Sequence, residues 1–302
     1  MASLREIRRK IKSVKSTEQI TKAMKMVAAA RMRRSQAAIL AARPFAVKME
    51  GLVRGLASLE AHEAQESGRP QRLHPFFERR MGGPAALILV TADKGLCGAF
   101  NSNLIKAAIE WLKTHEGRKV YVAAVGRKGR DFLHRLRGYD YEMIMELAGI
   151  FPKVNFSHAE LLGKSLIDAY EQKGPESVTV LYNEFKSVAV QRQVSAALLP
   201  IPGIEAEISE GKNAVLAAQG FEPEREALLA ALLPRYIKAR IFRILLESQA
   251  AELAARMNAM DAASKNAKEM REALNLSLNR QRQAIITREI AELVGGAEAL
   301  AS

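Results

Sequence analysis

Proline and glycine are missing from both ends of this chain. All ten prolines lie between Pro44 and Pro234, and no glycine precedes Gly51, so residues 1–43 and 235–294 contain neither. Stretches without breakers, rich in Ala, Leu, Met, Lys, Arg, Glu and Gln, read as uninterrupted helices. At ~1.5 Å per residue the second stretch would be ~90 Å long, which suggests a shaft with a globular part inserted in its sequence. Cysteine is almost absent: Cys97 stands alone, which excludes an internal disulfide framework and makes a reducing cytoplasm the simplest home. Long apolar runs are lacking too. The strongest, around Ala85 to Val90, is far short of the ~20 residues that cross a bilayer. No signal-peptide pattern is present. The basic start resembles a transit peptide, but its helical pattern runs on, and Ser3 with Glu6 fits a capping box that opens a structural helix. Aromatics are absent before Phe45, so no stacking platform accompanies the basic residues there, which argues against nucleic acid as a partner.

What is abundant is positive charge, a net +13. Residues 1–36 hold eleven Lys or Arg against two acids, and residues 235–292 hold eleven against seven. Residues 37–234 hold 24 against 23. The basic character therefore belongs to the two terminal helices, as a solvated face or as a surface for an acidic partner.

Heptad spacing marks both helices. Leu4, Ile7, Ile11 and Val14 step by three and four, and Ile20, Met24 and Val27 resume the stripe. In the last helix Leu253, Met257, Met260, Ser264, Ala267, Arg271, Leu274, Leu278, Gln281 and Ile285 alternate four and three throughout, a seam weakened by polar residues. The first helix runs into the middle and the last runs out of it, so their pairing is antiparallel. The middle alternates strand candidates (85–91, 120–125, 178–185, 190–198) with helical segments near 103–114, 127–137 and 159–172. This order favours a small parallel-rich α/β sheet, its last two strands antiparallel. The expected divisions are a first helix over 1–60, a linker over 61–84, an α/β domain over 85–223 and a last helix over 224–302.

Catalytic signatures fail on inspection. Gly163-Lys164-Ser165 is the tail of a phosphate loop without its first glycine, inside helical spacing. Gly126-Arg127-Lys128-Gly129 follows a strand and offers backbone amides to an anion, although a surface turn explains it as well. No histidine or orienting group is placed to activate Cys97. The five histidines (62, 74, 115, 134, 158) have no metal-ligand spacing. No catalytic, cofactor or metal site is expected.

Four stretches resemble one family. IRRKIKSVKSTEQITKAMKMVAAARMRR (7–34), TADKGLCGAFN (91–101), QAAELAARMNAMDAASKNA (249–267) and NRQRQAIITREIAELVGGAEAL (279–300) closely resemble the signatures of the gamma subunit of F-type ATP synthase, of bacterial type. The resemblance implies an antiparallel coiled coil of the terminal helices with a Rossmann-like α/β domain at its foot. It further implies a central rotor shaft, itself without a catalytic site, set in a hexamer of alpha and beta subunits. The foot would sit with epsilon on the proton-driven c ring, on the cytoplasmic face of the inner membrane. By matching positions, Met24 and Lys25 would lie where the shaft meets beta, and Lys94 and Cys97 near an acidic loop of beta. Arg282, Gln283, Thr287 and Glu289 would make polar contacts with beta, and the tip from Ile290 to Leu300 would sit in an apolar bearing. Foot contacts are expected around 199–224. Lys25 stands where some relatives carry an acid, so a salt bridge argued for those relatives need not transfer. Chloroplast members carry an inserted cysteine pair; 199–234 contains none, so thiol switching of that kind is not expected.

Overall fold

The computed structural model describes residues 3–66, 74–78, 80–151, 153–201 and 225–301. The element order is α1 (Leu4–Glu66), β1 (Ala85–Val90), α2 (Phe100–Thr114), β2 (Val120–Val125), α3 (Arg127–Arg135), β3 (Tyr141–Leu147), α4 (Phe156–Lys173), β4 (Ser177–Phe185), β5 (Gln191–Leu199) and α5 (Arg225–Ala301). The chain forms two units: Met1–Ala29 with Arg256–Ser302, and Ala30–Ala255.

The larger unit is built on a five-stranded sheet of order β3-β2-β1-β4-β5. β1 pairs in parallel with β2 and β4, β2 pairs in parallel with β3, and β5 closes the sheet antiparallel to β4. Strands β1 and β2 are buried at every position, as a sheet covered on both faces requires. The period of two sorts their side chains into two cores. Ala86, Ile88, Val90, Tyr121, Ala123 and Val125 face a cluster supplied by α1, α4 and α5, including Val53, Leu56, Leu162, Leu166, Leu233 and Ile237. Leu87, Leu89, Val122 and Ala124 face Leu104, Ala108 and Leu112 of α2 and Leu133 of α3. Gly163 lets α4 approach α5 closely: a Cβ there would lie 2.7 Å from Cγ of Lys238.

The smaller unit is an antiparallel helix pair. Lys25 meets Asp261 at 2.5 Å and Glu18 meets Arg271 at 3.3 Å, so the partner's number rises as the residue number falls. All ten seam positions read from the spacing of the last helix are buried or half-buried. The start of α1 is the expected capping box: Ser3 N donates to Glu6 Oε2 at 3.0 Å and Glu6 N to Ser3 Oγ at 3.3 Å.

Several expectations need correction. The seam of α1 does not pass through Ile20 and Val27, which are 57% and 51% exposed. It keeps its steps of three and four through Glu18, Thr21, Met24 and Ala28. Register, fixed along the whole coil, outweighs the apolar character of individual residues. The helices also run on through the breakers that bound the proline- and glycine-free stretches. α1 continues through Pro44, Gly51 and Gly55 to Glu66, six residues into the expected linker, and α5 contains Pro234, Gly295 and Gly296. A proline costs a helix interior ~3 kcal/mol and each glycine ~1. Burial of Met49, Val53 and Leu56 returns ~1.5–3 kcal/mol apiece, enough to offset them. Strand β3 has no counterpart among the strand candidates. Its Tyr141-Glu142-Met143 alternation is interrupted by a bulge, where Val122 and Ala123 pair with Met143 and Met145 and Ile144 is skipped. The expected foot contacts lie largely outside the described residues, since 202–224 are not among them.

Candidate functional site

In the larger unit the segment 91–101 joins β1 to α2 at the C-terminal end of the sheet, and its polar side chains are spent on holding neighbouring loops. Thr91 Oγ1 donates to the Val125 carbonyl at 3.1 Å and accepts from Gly129 N at 2.7 Å. The buried Asp93 accepts three backbone N–H groups: Arg127 at 2.9 Å and Gly149 at 2.7 Å on Oδ1, and Phe151 at 2.9 Å on Oδ2. Asn101 Oδ1 accepts from Ala92 N at 2.9 Å, and its Nδ2 donates toward Cys97 Sγ at 3.2 Å. Lys128 N donates to the Ala92 carbonyl at 3.1 Å. The amides of 127–129, offered by the sequence as an anion cradle, are thus filled by the chain's own Asp93, Ala92 and Thr91. A helix N-terminus already holding a carboxylate has little left for a ligand.

The same segment separates its two expected contact residues. Cys97 is buried at 1% exposure, packed against Leu104 and Leu133, whereas Lys94 is exposed. Leu96 between them has φ +62° and is 65% exposed. The left-handed region costs a non-glycine residue ~1–2 kcal/mol, and an exposed leucine recovers none of this by packing.

In the smaller unit Met24 and Lys25 are half-buried on α1. Lys25 is not idle: it holds Asp261, which Lys265 also approaches at 3.3 Å. The hydrogen bond from Lys25, reinforced by Lys265, keeps the Asp261 carboxyl below the usual carboxylate range. Arg282, Gln283, Thr287 and Glu289 are all exposed on α5. Gln283 and Thr287, four apart, share a face, and Arg282 and Glu289, seven apart, share another. Ile286, Ile290, Leu293 and Val294 are exposed among them, Leu293 at 74%. Among the described residues, intramolecular packing explains none of these apolar side chains. Asp261 and Glu18, missed as paired charges, were legible by counting the antiparallel register inward from the seam. Asp93 carried only one signal, its place inside TADKGLCGAFN.

No reaction centre is assembled among the described residues. No three His, Cys, Asp or Glu side chains are grouped there to hold a metal, and no helix is long and apolar enough to cross a membrane. Gly163-Lys164-Ser165 lies inside α4, with Gly163 buried against α5. His158 is structural, accepting from Asn155 N at 3.1 Å at the start of α4. In the larger unit a groove of about 750 Å³ runs between 39–47 of α1 and 239–247 of α5, lined by Ile39, Leu40, Phe156, Phe242 and Leu246. Its Lys186 and Arg243 are bound to Glu184 and Glu247 at 2.9 and 2.8 Å, and the exposed Arg43 is the remaining charged side chain on its wall, a single cation rather than the convergent polar groups of a reaction site.

Comparison with known proteins accounts for nearly the whole chain. The family profile described as ATP synthase matches residues 3–300. The ATP synthase gamma chain of Elusimicrobium minutum is 43% identical over 99% of each chain. That of Desulforamulus reducens is 44% identical over 99% of this chain and 100% of its own. Among solved structures, a central stalk and c-ring assembly of the Tetrahymena thermophila mitochondrial ATP synthase contains a chain similar at TM-score 0.57 and 25% identity. That match covers 81% of this chain and 99% of the other. A chain of the Euglena gracilis mitochondrial enzyme shares the fold at TM-score 0.63 and 18% identity, over 98% and 94%.

Proposed function

Because the chain belongs to the ATP synthase gamma-chain family, we propose that it is the central rotor shaft of an F-type proton-transporting ATP synthase. In this reading the paired helices stand inside a hexamer of alternating alpha and beta subunits, and the α/β domain sits with epsilon on the c ring. The complex works at the cytoplasmic face of a bacterial inner membrane. The chain has no catalytic centre; nucleotide chemistry takes place on beta. An asymmetric shaft meets three beta subunits with three different faces and stabilises a different conformation in each. Turning it exchanges those preferences, and with them the affinities for ADP, phosphate and ATP.

The observation that carries this reading is the division of labour along α5. From Met257 to Ile285 every third or fourth side chain is buried or half-buried, while from Ile286 to Gly296 every residue is exposed and aliphatic side chains recur. A helix that keeps its end apolar without a partner in its own chain fits one that ends inside other subunits. Met24, Lys25, Lys94, Cys97, Arg282, Gln283, Thr287 and Glu289 remain the proposed contact positions. Cys97 would act through the loop it anchors, and Lys25 would share its charge with Asp261.

The test is reconstitution with alpha and beta subunits of the same source. The expected product holds one copy of this chain to three alpha–beta pairs, with ATPase activity that needs all three components. Failure to assemble, combined with DNA or RNA binding that falls ~10³-fold between 50 and 200 mM salt, would replace the rotor reading by a nucleic-acid one.

A further inference from the structure

Apolar side chains left in water gather at one place in the larger unit. Nine large ones are exposed among the described residues of 30–255, and four of them, Leu40, Phe45, Val47 and Phe156, line the groove of about 750 Å³ between α1 and α5. Phe156 meets Phe242 edge-to-face with ring centroids 5.5 Å apart, so part of the wall is aromatic. On α1, Leu40, Arg43 and Val47 follow one another at three and four residues and share a helix face. The carboxylates that would repel an anion are already paired, Glu184 with Lys186 and Glu247 with Arg243. Arg43 is exposed and makes no ion pair among the described residues. The groove thus offers an apolar trough and one uncompensated positive charge. Its volume falls within the ~300–1,000 Å³ of ligand sites. The α1 wall, from residue 39 to residue 47, rises over ~12 Å, about the length of a medium-chain acyl group.

We propose that this groove binds a free medium-chain fatty acid, its acyl chain laid between α1 and α5 along Leu40, Val47 and Phe242 and its carboxylate on the Arg43 guanidinium. A guanidinium takes a carboxylate through two parallel hydrogen bonds. The stem of an arginine covers apolar surface while its head stays in water, so the ligand's charge need not be buried and the acyl chain supplies the affinity. One cation selects a monoanion, and a trough of this length suits one short chain better than the two long chains of a phospholipid. A protein segment is less well served, because an interface of that kind is specified by a rim of several polar groups, whereas the other charges on this wall are paired within the chain. The inference stands apart from the rotor reading: none of the proposed subunit contacts lies among the residues of the groove.

The experiment titrates the full chain calorimetrically with decanoate, dodecanoate and the neutral dodecyl maltoside, each below its micellar concentration. Dodecanoate carrying a photoreactive diazirine at its far end reports the place. One dodecanoate is expected to bind per chain, about tenfold or more tighter than decanoate, since each buried methylene strengthens binding roughly fourfold. Arg43→Gln should weaken dodecanoate at least ~fivefold, the loss of a charge-assisted contact, and leave dodecyl maltoside unchanged. Leu40→Gln should weaken dodecanoate by about threefold or more. Both positions are exposed, so helicity and unfolding midpoint should stay fixed in each variant. The photolabel is expected within 39–47 or 239–247. Equal dodecanoate affinity in Arg43→Gln, dodecyl maltoside bound as tightly as dodecanoate, or label spread along the chain would each mean detergent-like adsorption and overturn the proposal. Binding should persist in the complex with alpha and beta subunits; its loss on assembly would reassign the groove to a protein interface and likewise overturn it. Failure to assemble, with dodecanoate binding intact, would remove the rotor reading and leave this inference standing.

Discussion

Gly126 stands so close to Thr91 that a Cβ on it would lie 2.1 Å from the Thr91 carbonyl oxygen and 2.9 Å from Oγ1. Its φ of +87° is, in addition, one that side chains rarely adopt. These two residues bind the C-terminal ends of β1 and β2 to the start of α3, with Thr91 N donating to the Val125 carbonyl at 2.8 Å. The left-handed conformation costs an alanine ~1–2 kcal/mol, and overlap with a rigid carbonyl adds ~1–3 more. Gly126→Ala is therefore expected to destabilise the larger unit by ~3 kcal/mol or more. Gly129→Ala, facing Thr91 Oγ1 at 2.8 Å without the conformational penalty, should cost ~1–3 kcal/mol. Urea unfolding followed by the fluorescence of Trp111, the single tryptophan, measures both. A loss under ~0.5 kcal/mol for Gly126→Ala, the size of an ordinary surface change, would contradict the close approach.

Asp93 is a second test of the same corner. Its two oxygens accept three N–H groups from α3 and from the segment between β3 and α4. An asparagine keeps the shape but presents an amide nitrogen where one oxygen was, so a donor would face a donor. Asp93→Asn should lower stability by ~2–4 kcal/mol, combining lost charge-assisted bonds with an unsatisfied buried amide. Orientation of the new amide with its oxygen toward Arg127 and Gly149 leaves Phe151 unpaired. Hydrogen exchange should accordingly accelerate at the Phe151 amide more than at Gly149. Equal protection of both amides in the variant would show that the carboxylate is dispensable.

The sequence disclosed the helices and the buried strands because each obeys one period over many residues. Val120 to Val125 is apolar throughout, and the seam from Leu253 to Ile285 never departs from its three–four step. What it hid was decided by partners far along the chain. Ile20 and Val27 look like seam residues, but a helix pair fixes register globally, and that register assigns Glu18 and Thr21 to the inside. Pro44 reads as a breaker until α1 is seen buried against the sheet beyond it. β3 was concealed by its bulge and by glutamates that find partners at a sheet edge: Glu142 pairs with Lys119 and Lys173, and Glu146 meets His134 Nε2 at 2.7 Å. The candidate surfaces were legible from motif likeness alone, since exposed residues obey no packing period.

Tyrosine burial sets an alkaline limit on stability. Desolvation, followed by the nearby Glu247 carboxylate, pushes the Tyr182 hydroxyl up to about 12, and burial raises Tyr170 and Tyr236 as well. Each of these groups holds its proton longer in the folded chain than in the unfolded one. Between about pH 10, the ordinary value, and about 12, the unfolded state therefore binds fewer protons. Stability is fully present below about pH 10 and falls as pH rises through that window. Unfolding midpoints should decline across it, and Tyr182→Phe should decline less steeply. Tyrosinate absorbance of the unaltered folded chain should show late-titrating groups; complete ionisation near pH 10 while the chain is still folded would refute the burial argument.

Arg271 and Arg282 lie on the same helix and should separate folding from partner binding. Arg271 is a seam residue, 28% exposed, whose Nε approaches Glu18 Oε2 at 3.3 Å, and neither atom has a hydrogen-bond partner among the described residues. Its removal leaves a half-buried carboxylate without a counter-charge, so Arg271→Ala should destabilise the isolated chain. A paired Glu18→Leu, Arg271→Leu replacement should match or exceed the original stability, because removing both charges also removes their desolvation cost. Arg282, with Thr287, is exposed and outside the seam. Arg282→Ala with Thr287→Ala should change the stability of the isolated chain by no more than ~0.5 kcal/mol, since alanine also suits a helix. If these side chains serve other subunits, the same double variant should lower the ATPase rate of the reconstituted complex severalfold while helicity and midpoint stay fixed. Unchanged ATPase would remove Arg282 and Thr287 from the contact surface; a lowered midpoint would mean that the end of α5 is held by its own chain after all.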